Sequence, residues 1–364
     1  MRKGWEYKKL GEVLETTSGG TPSKSHKEYY EGGTIPWLRS GEVSKGDIYD
    51  AELYITEEGL KKSSAKLFPI DTVLIAMYGA TVGQVGILKS TMCTNQAICG
   101  ILPNKDFHPN FLKYVLLANK KNYLKQAIGG AQPNISQQVI KSTYIPVIKF
   151  SEQESVVSEL DKINELIRLK KEQLKDFDNL SQSLFYEMFG DPVENEKGWE
   201  VKKLGEVYKM KSGDSLSTKN FIEGNIPVYG GNGISGYHNQ FNKDGSYIII
   251  GRVGVYCGNA RIVKGQFWLT DNAFELFYDK SIQNEVFVCK LLNLLNLRQY
   301  ANAAAQPVIS NNTLKHISIP LPPLPLQHLF AQRIEQIERE KSEVQKSIQD
   351  LETLLASRMQ YWFE

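Results

Sequence analysis

The chemistry-bearing residues are scattered. Five histidines, His26, His108, His238, His316 and His328, and four cysteines, Cys93, Cys99, Cys257 and Cys289, are the types that hold metals or act as nucleophiles and bases. None stands in an HxH, HExxH or CxxC spacing, so no metal site is expected and the thiols are expected to be buried and free. Neither a GxSxG nucleophile elbow nor a GxxxxGK[ST] phosphate loop occurs. Gly231-Asn232-Gly233-Ile234-Ser235-Gly236 matches GxGxxG, but the turn-rich Tyr237 to Gly245 follows where a dinucleotide fold needs a helix N-terminus. Glu6-Tyr7-Lys8 and Glu200-Val201-Lys202 have the Glu-x-Lys form of a metal nuclease. The first lacks room upstream for a partner acid, and the pair repeats, so both read as fold elements. No Asn-Pro-Pro-Tyr or Asp-Pro-Pro-Tyr of a base-methylating enzyme occurs. The residues point to a chain that binds something rather than transforms it.

What positions those residues is a duplication. Trp5-Glu6-Tyr7-Lys8-Lys9-Leu10-Gly11-Glu12-Val13 returns as Trp199-Glu200-Val201-Lys202-Lys203-Leu204-Gly205-Glu206-Val207, identical at eight of nine positions. Later landmarks follow in order: Ile35-Pro36 with Ile226-Pro227, Val82-Gly83 with Val253-Gly254, and Thr94-Asn95-Gln96-Ala97 with Thr270-Asp271-Asn272-Ala273. Ala131-Gln132-Pro133-Asn134-Ile135-Ser136 then matches Ala305-Gln306-Pro307-Val308-Ile309-Ser310, and Ile145-Pro146 matches Ile319-Pro320. The offset falls from 194 to 174, so the first half carries about twenty extra residues.

Each half ends in a heptad stretch. Val156, Leu160, Ile163, Ile167, Lys170, Leu174, Phe177, Ser181, Leu184 and Met188 are spaced by alternating fours and threes, and eight of the ten are apolar. The same stride recurs 174 residues on, at Phe330, Ile334, Ile337, Lys341, Val344, Ile348, Leu351, Leu355, Arg358 and Trp362. Such a seam packs lengthwise against another helix. About forty residues of helix span roughly 60 Å, so these are struts, and each is the other's partner.

The expected architecture is mixed α/β (α+β), duplicated and joined by two long antiparallel coiled-coil helices in a pseudo-two-fold dumbbell. The domains are residues 1–150, a first spacer helix 151–190, a second domain 191–325 and a second spacer helix 326–364. Thr72 to Met77, Val85 to Leu88, Tyr247 to Ile250 and Phe267 to Thr270 are predicted strands. Phe111 to Ala127 and Glu285 to Tyr300 are predicted helices. Trp5, Trp37, Trp199 and Trp268 are assigned to the core. Tyr361-Trp362-Phe363-Glu364 should finish near Met1.

Composition is that of a globular protein, with a net charge of only +2. Lys and Arg outnumber Asp and Glu by 19 to 13 over residues 1–150 and by 14 to 12 over 191–325, whereas the helical stretches carry 5 against 9 and 5 against 7. Cations gather on the globular parts, as expected if those meet phosphates. No run of about eighteen apolar residues and no leader-like apolar stretch is present, so a cytoplasmic, non-membrane protein is expected. Two equivalent heads on a rod suit a ligand of repeating geometry, and duplex DNA, with about 34 Å per turn, is such a ligand.

The chain resembles the specificity (S) subunit of type I restriction-modification systems. The resemblance rests on Gly4-Trp5-Glu6 with Lys9-Leu10-Gly11-Glu12, on Gly19-Gly20-Thr21-Pro22-Ser23, and on Ile35-Pro36-Trp37-Leu38-Arg39-Ser40-Gly41. Gly251-Arg252-Val253-Gly254, Ile319-Pro320-Leu321-Pro322-Pro323-Leu324 and Met188-Phe189-Gly190-Asp191-Pro192 before a second Gly198-Trp199-Glu200 complete it. Two departures lie at the helix starts: no Pro-Pro pair precedes Glu152-Gln153, and Leu326-Gln327 stands where Glu-Gln is usual. The resemblance implies two target recognition domains, each reading one half of a split double-stranded DNA site. It implies two methyltransferase (M) subunits and restriction (R) subunits as partners, with S-adenosylmethionine, ATP and Mg on those subunits and no cofactor or catalysis in this chain.

DNA-contacting candidates follow from residue type, since phosphates take Lys, Arg, hydroxyls and amides, and base edges take Arg, Lys, Asn, Gln and hydroxyls. In the first domain they are Thr21, Ser23, Lys24, Lys27, Tyr29, Tyr30, Arg39, Tyr78, Thr81 and Gln84. In the second they are Ser215, Ser217, Lys219, Tyr229, Asn232, Tyr237, His238, Arg252 and Arg261. The competing reading is a coiled-coil adaptor with two protein-binding domains and no affinity for DNA.

Overall fold

The computed structural model describes residues 2, 4–128, 133–302 and 307–364. Ala131, Gln132, Ala305 and Gln306 of the repeated motif lie outside the described residues. The chain divides into two units, Met1–Leu169 with Ser347–Glu364, and Lys170–Lys346.

In the first unit the strand Glu6–Lys9 pairs antiparallel with Tyr144–Val147. A five-stranded sheet runs in the order Thr16–Ser18, Ile98–Ile101, Val73–Ala76, Val85–Leu88, Asp47–Ile48. A four-stranded sheet follows the order Tyr54–Ile55, Ile35–Leu38, Met92–Thr94, Leu67–Phe68. Val73–Ala76 and Val85–Leu88 are buried at every position, the mark of strands covered on both faces. The helix Pro109–Ala118 lies on them, with Pro109 in its first turn and the His108 ring accepting from the Asn110 amide. The predicted helix Phe111 to Ala127 is interrupted at Asn119, and a second helix covers Lys120–Gln126.

The second unit repeats the pattern. Val201–Lys203 pairs with Ser318–Pro320, and a six-stranded sheet follows the order Lys209–Ser212, Ala273–Phe277, Lys243–Gly251, Ala260–Leu269, Ile226–Gly230, Gly233–His238. Its hairpin Lys243–Gly251 and Ala260–Leu269 is one continuous ladder, with Lys243 opposite Phe267 and Ile248 opposite Ile262. In the first unit the same ladder is broken by Pro69 to Thr72, with Asp71 in the left-handed region, so that Phe68 still meets Met92 while Val73 meets Ile87. The helix Glu285–Leu294 ends before Asn296, which is left-handed at φ 47°, and a short 3-10 turn follows over Leu297–Tyr300.

Most of the extra length of the first half sits in one place. From Leu38 to Val73 is 35 residues; the equivalent Tyr229 to Ile248 is 19. The first unit fills this interval with short helical turns and three short strands, the second with the simple hairpin ending in Gly233–His238.

The repeated nonapeptide has a packing origin. Leu10 and Leu204 are fully buried; Glu12 and Glu206 accept from the amides of Lys9 and Lys203 at 3.2 and 2.9 Å. A Cβ on Gly11 would stand 2.9 Å from Lys141 Cβ, and one on Gly205 2.7 Å from Lys315 Cβ, so both positions require glycine.

The long helices run Phe150–Phe189 and Leu324–Phe363. In the first unit Val156 and Leu160 join the core with Leu355, Met359 and Trp362 packed against it, and Arg358 pairs with Glu159. The two segments are antiparallel there, since Leu354 stands beside Ile163 and Arg358 beside Glu159. Ile163, Ile167 and Ile348 are buried and Leu351 half-buried in the same unit. In the second unit Leu184, Phe330 and Ile337 are core, flanked by Phe177, Met188 and Ile334; Lys341 bonds Asp178 at 2.8 Å, again antiparallel, with Leu174 half-buried and Val344 buried. Gly190, at φ 76°, ends the first helix by donating to Tyr186 O, and Pro192 prevents its continuation.

Within the first unit the two chain ends meet. Arg2 Nη2 donates to Tyr361 Oη at 3.2 Å, and the Trp5 and Trp362 rings stack with centroids 5.9 Å apart. Of the four tryptophans assigned to the core, Trp37 is buried, whereas Trp5, Trp199 and Trp268 are only half-buried.

Candidate nucleic-acid interface

In each unit one loop leaves the first strand of the large sheet and crosses a tight turn. In the first, Gly19 N donates to Ile98 O at 3.2 Å and Gly20 N to Thr94 O at 2.9 Å. In the second, Gly213 N donates to Ala273 O at 3.2 Å and Asp214 N to Leu269 O at 2.9 Å. The crossing is so close that a Cβ on Gly19 or on Gly213 would lie 2.2 Å from the Thr94 or Leu269 carbonyl oxygen.

These bonds correct two sequence landmarks. Asn95 N donates to Leu38 O and Thr270 N to Tyr229 O; Met77 N to Ala97 O and Arg252 N to Asn272 O. The equivalent of Thr94 is therefore Leu269 rather than Thr270, and the Asn95 side chain that accepts from Ala97 N has its counterpart in the Thr270 hydroxyl, which accepts from Asn272 N. Likewise Gly79 N donates to Pro133 O as Gly254 N does to Pro307 O, and Gly83 N to Ala76 O as Gly258 N does to Gly251 O. The partner of Val82-Gly83 is Cys257-Gly258, not Val253-Gly254. All four glycines have positive φ.

Beside each loop lies a cleft. The first, about 530 Å³, is lined by Thr21, Lys24, Lys27, Tyr30, Glu31, Trp37, Arg39, Leu53, Asn95 and Gln96. The second, about 490 Å³, is lined by Leu216, Ser217, Thr218, Phe221, Gly230 to Ser235, Val253, Gly254, Thr270 and Asn272. Both are bounded by the loop, by the parallel strand Ile35–Leu38 or Ile226–Gly230, and by the turn at Asn95 or Thr270. Five first-domain candidates meet in the first cleft, but only Ser217 and Asn232 line the second. Ser215 and Lys219 are exposed on its loop, Arg261 lies against Gly233, and Tyr237 is exposed on the neighbouring strand.

Several candidates, the cleft-lining Tyr30 among them, make contacts within the fold. Tyr29 and His238 are buried, which removes them from a ligand surface: the His238 ring accepts from Ile222 N at 3.0 Å and sits edge-on to Trp268. Tyr30 Oη donates to Pro22 O at 2.5 Å, and burial raises its pKa. The half-buried Tyr229 packs edge-on against Phe267. Arg252 is held by Ser212 Oγ at 3.2 Å and the Asp271 carbonyl, over the Phe274 ring. Tyr78, Thr81 and Gln84 occupy a different turn, with Thr81 bonded to Tyr78 O. Ser23 bonds Ser25 and does not line the cleft.

Lys24 and Lys27 are exposed and have no carboxylate partner among the described residues. Arg39 is already engaged, its Nη2 2.6 Å from Glu52, which Lys45 also approaches at 3.4 Å. Hydrogen bonds from Lys45 and then Arg39 hold the Glu52 carboxyl below the usual range. Asn95, Gln96, Thr270 and Asn272 are not among the residue-type candidates; they stand at the equivalent turn that follows Thr94 and Leu269 in the two units.

The GxGxxG segment bends between two antiparallel strands instead of opening a helix. Among the described residues no group of three or more His, Cys, Asp and Glu could hold a metal. All four cysteines are free, and burial pushes Cys93 up to about 11 and Cys99 and Cys289 up to about 12. No helix of the described residues is long and apolar enough to cross a membrane.

Two similar units, each presenting a cleft and each continuing into a long helix, define a duplicated recognition module. The chain belongs to the type I restriction modification DNA specificity domain family, whose model matches it twice, over residues 2–176 and 196–353. It is 28% identical over 347 residues to the type I restriction enzyme EcoprrI specificity subunit of Escherichia coli, covering 90% of this chain and 86% of that one. It is 31% identical over 246 residues to the MjaIX specificity subunit of Methanocaldococcus jannaschii, covering 62% and 56%. In fold it is similar to the type I restriction-modification S subunit from M. genitalium, with a TM-score of 0.58 at 16% identity over 99% of this chain and 96% of that one. A chain from a study of complex assembly and conformational transition of the type I R-M system gives a TM-score of 0.65 at 21% identity, over 100% and 98%.

Proposed function

We propose that this chain is the non-catalytic DNA sequence-specificity subunit of a type I restriction-modification complex, and that each unit reads one half of a split duplex site at its cleft. One observation carries the reading: the same loop, strand and turn build a cleft in both units, yet the linings differ. The first is cationic and aromatic, with Lys24, Lys27, Tyr30 and Trp37; the second is glycine-, hydroxyl- and carboxamide-lined, with Ser217, Asn232 and Asn272. A shared scaffold with unlike contact residues is what two different half-sites require. The boundaries 1–150, 151–190, 191–325 and 326–364 serve as recognition and spacer segments in this reading.

The named relatives are subunits of restriction enzymes, so M subunits carrying S-adenosylmethionine and R subunits using ATP and Mg are the proposed partners, acting with this chain on DNA in the cytoplasm. The test is selection from a randomised duplex pool by the full-length chain with its partner subunits. Two short enriched blocks at a fixed separation are expected. A single contiguous block, or no enrichment, overturns the reading, and the second outcome favours a protein-binding adaptor.

A further inference from the structure

We propose that Trp37 and Trp268 are positioning residues, each pinning the loop that its unit presents to DNA; this rests on the reading above. Trp37 Nε1 donates to Gly20 O at 2.9 Å, and Trp268 Nε1 donates to Asp214 O at 3.2 Å. Gly20 and Asp214 are equivalent, because their amides donate to the equivalent carbonyls of Thr94 and Leu269.

The two tryptophans are not equivalent. Trp37 stands on the strand Ile35–Leu38 opposite Cys93, whereas Trp268 stands on the neighbouring strand opposite Val228. The large ring has changed strands, and a small or β-branched residue has taken the vacated place. A residue kept only to fill space would have no reason to aim its single donor at the same backbone oxygen from the other strand. What the units share is the target of the bond.

A second ring reinforces each loop two to eight residues further on. Tyr30 stands edge-on to Trp37 and bonds Pro22 O, and His238 stands edge-on to Trp268 and accepts from Ile222 N. Both loops are thus fixed at their root and again beyond it, which places the intervening polar side chains on a rigid support.

Replacing each indole with phenyl, Trp37→Phe and Trp268→Phe, keeps an aromatic ring and removes the donor. The probe is the randomised duplex pool, followed by duplexes carrying the selected sequence with either half altered. Trp37→Phe should lower discrimination at one half-site about fivefold, the equivalent of a lost hydrogen bond of about 1 kcal/mol, leaving the other half-site and the salt dependence unchanged. Trp268→Phe should do the converse. Tyr30→Phe, which loses only a hydroxyl, should weaken the same half-site as Trp37→Phe and covers the case in which that variant does not fold. Equal effects on both half-sites, or none from Trp37→Phe and Tyr30→Phe, overturn the proposal while the split-site reading stands. If the unaltered chain selects no split sequence, both fall together.

Discussion

Arg358 grips Glu159 through two nitrogens, with Nη2 3.1 Å from one carboxylate oxygen, and Trp362 Nε1 donates to that same oxygen at 3.1 Å. Arg358 occupies a heptad position where an apolar residue is usual, and a polar core residue with a single good partner fixes helix register. The hydrogen bonds from Arg358 keep the Glu159 carboxyl below the usual range. A depressed carboxylate contributes stability above its unfolded pKa and loses it as pH falls through the folded one. Because both side chains are about a third exposed, solvent screening limits the contribution to about 1 kcal/mol or less. Glu159→Gln should therefore lower the denaturation midpoint of the full chain at pH 7 and lower it by progressively less as the pH is taken down below the usual carboxylate range, as urea unfolding across that range would show.

The two helix starts are tied down by the same buried amide. Gln153 accepts from His108 N at 2.8 Å and donates to Asp106 O and Ile148 O; Gln327 accepts from Asn284 N at 2.9 Å and donates to Ile282 O and Pro322 O. Gln153→Leu or Gln327→Leu would strand one amide and two carbonyls. A loss of roughly 1–3 kcal/mol for each variant is expected from chemical denaturation. The Leu326 that replaces a usual Glu beside Gln327 leaves this clamp intact.

Lys24 and Lys27 should contact phosphate rather than bases, since they line the first cleft, are exposed and have no carboxylate partner among the described residues. Lys24→Ala and Lys27→Ala should each weaken DNA binding for every sequence and reduce the slope of log affinity against log salt by about 1. A titration from low to moderate salt checks this, and altered half-site preference would contradict it.

The stack of Trp5 on Trp362 and the Arg2 contacts bring the chain ends together inside one unit. A permutant that joins Glu364 to Met1 and opens within residues 190–197 should fold and bind the same duplex within about threefold, as expected of close surface termini. An insoluble permutant would count against that.

The sequence by itself determined the duplication and the heptad seam, because each is a matter of residue order along one strand or one helix face. None of the twenty seam positions is fully exposed, and even Lys170, Lys341 and Arg358 are partly covered. Burial was less legible, since Tyr29 and His238 have the chemistry of contact residues and only their packing shows them to be interior. The pairing of the two halves between residues 76 and 98 was decided by the tertiary structure alone. Short letter matches such as Val82-Gly83 with Val253-Gly254 compete with several near-equal alternatives, whereas each backbone amide reaches one carbonyl. For the same reason no string comparison relates Trp37 to Trp268: strands that lie side by side can exchange a side chain, and only their three-dimensional neighbourhood shows that the same oxygen is being held.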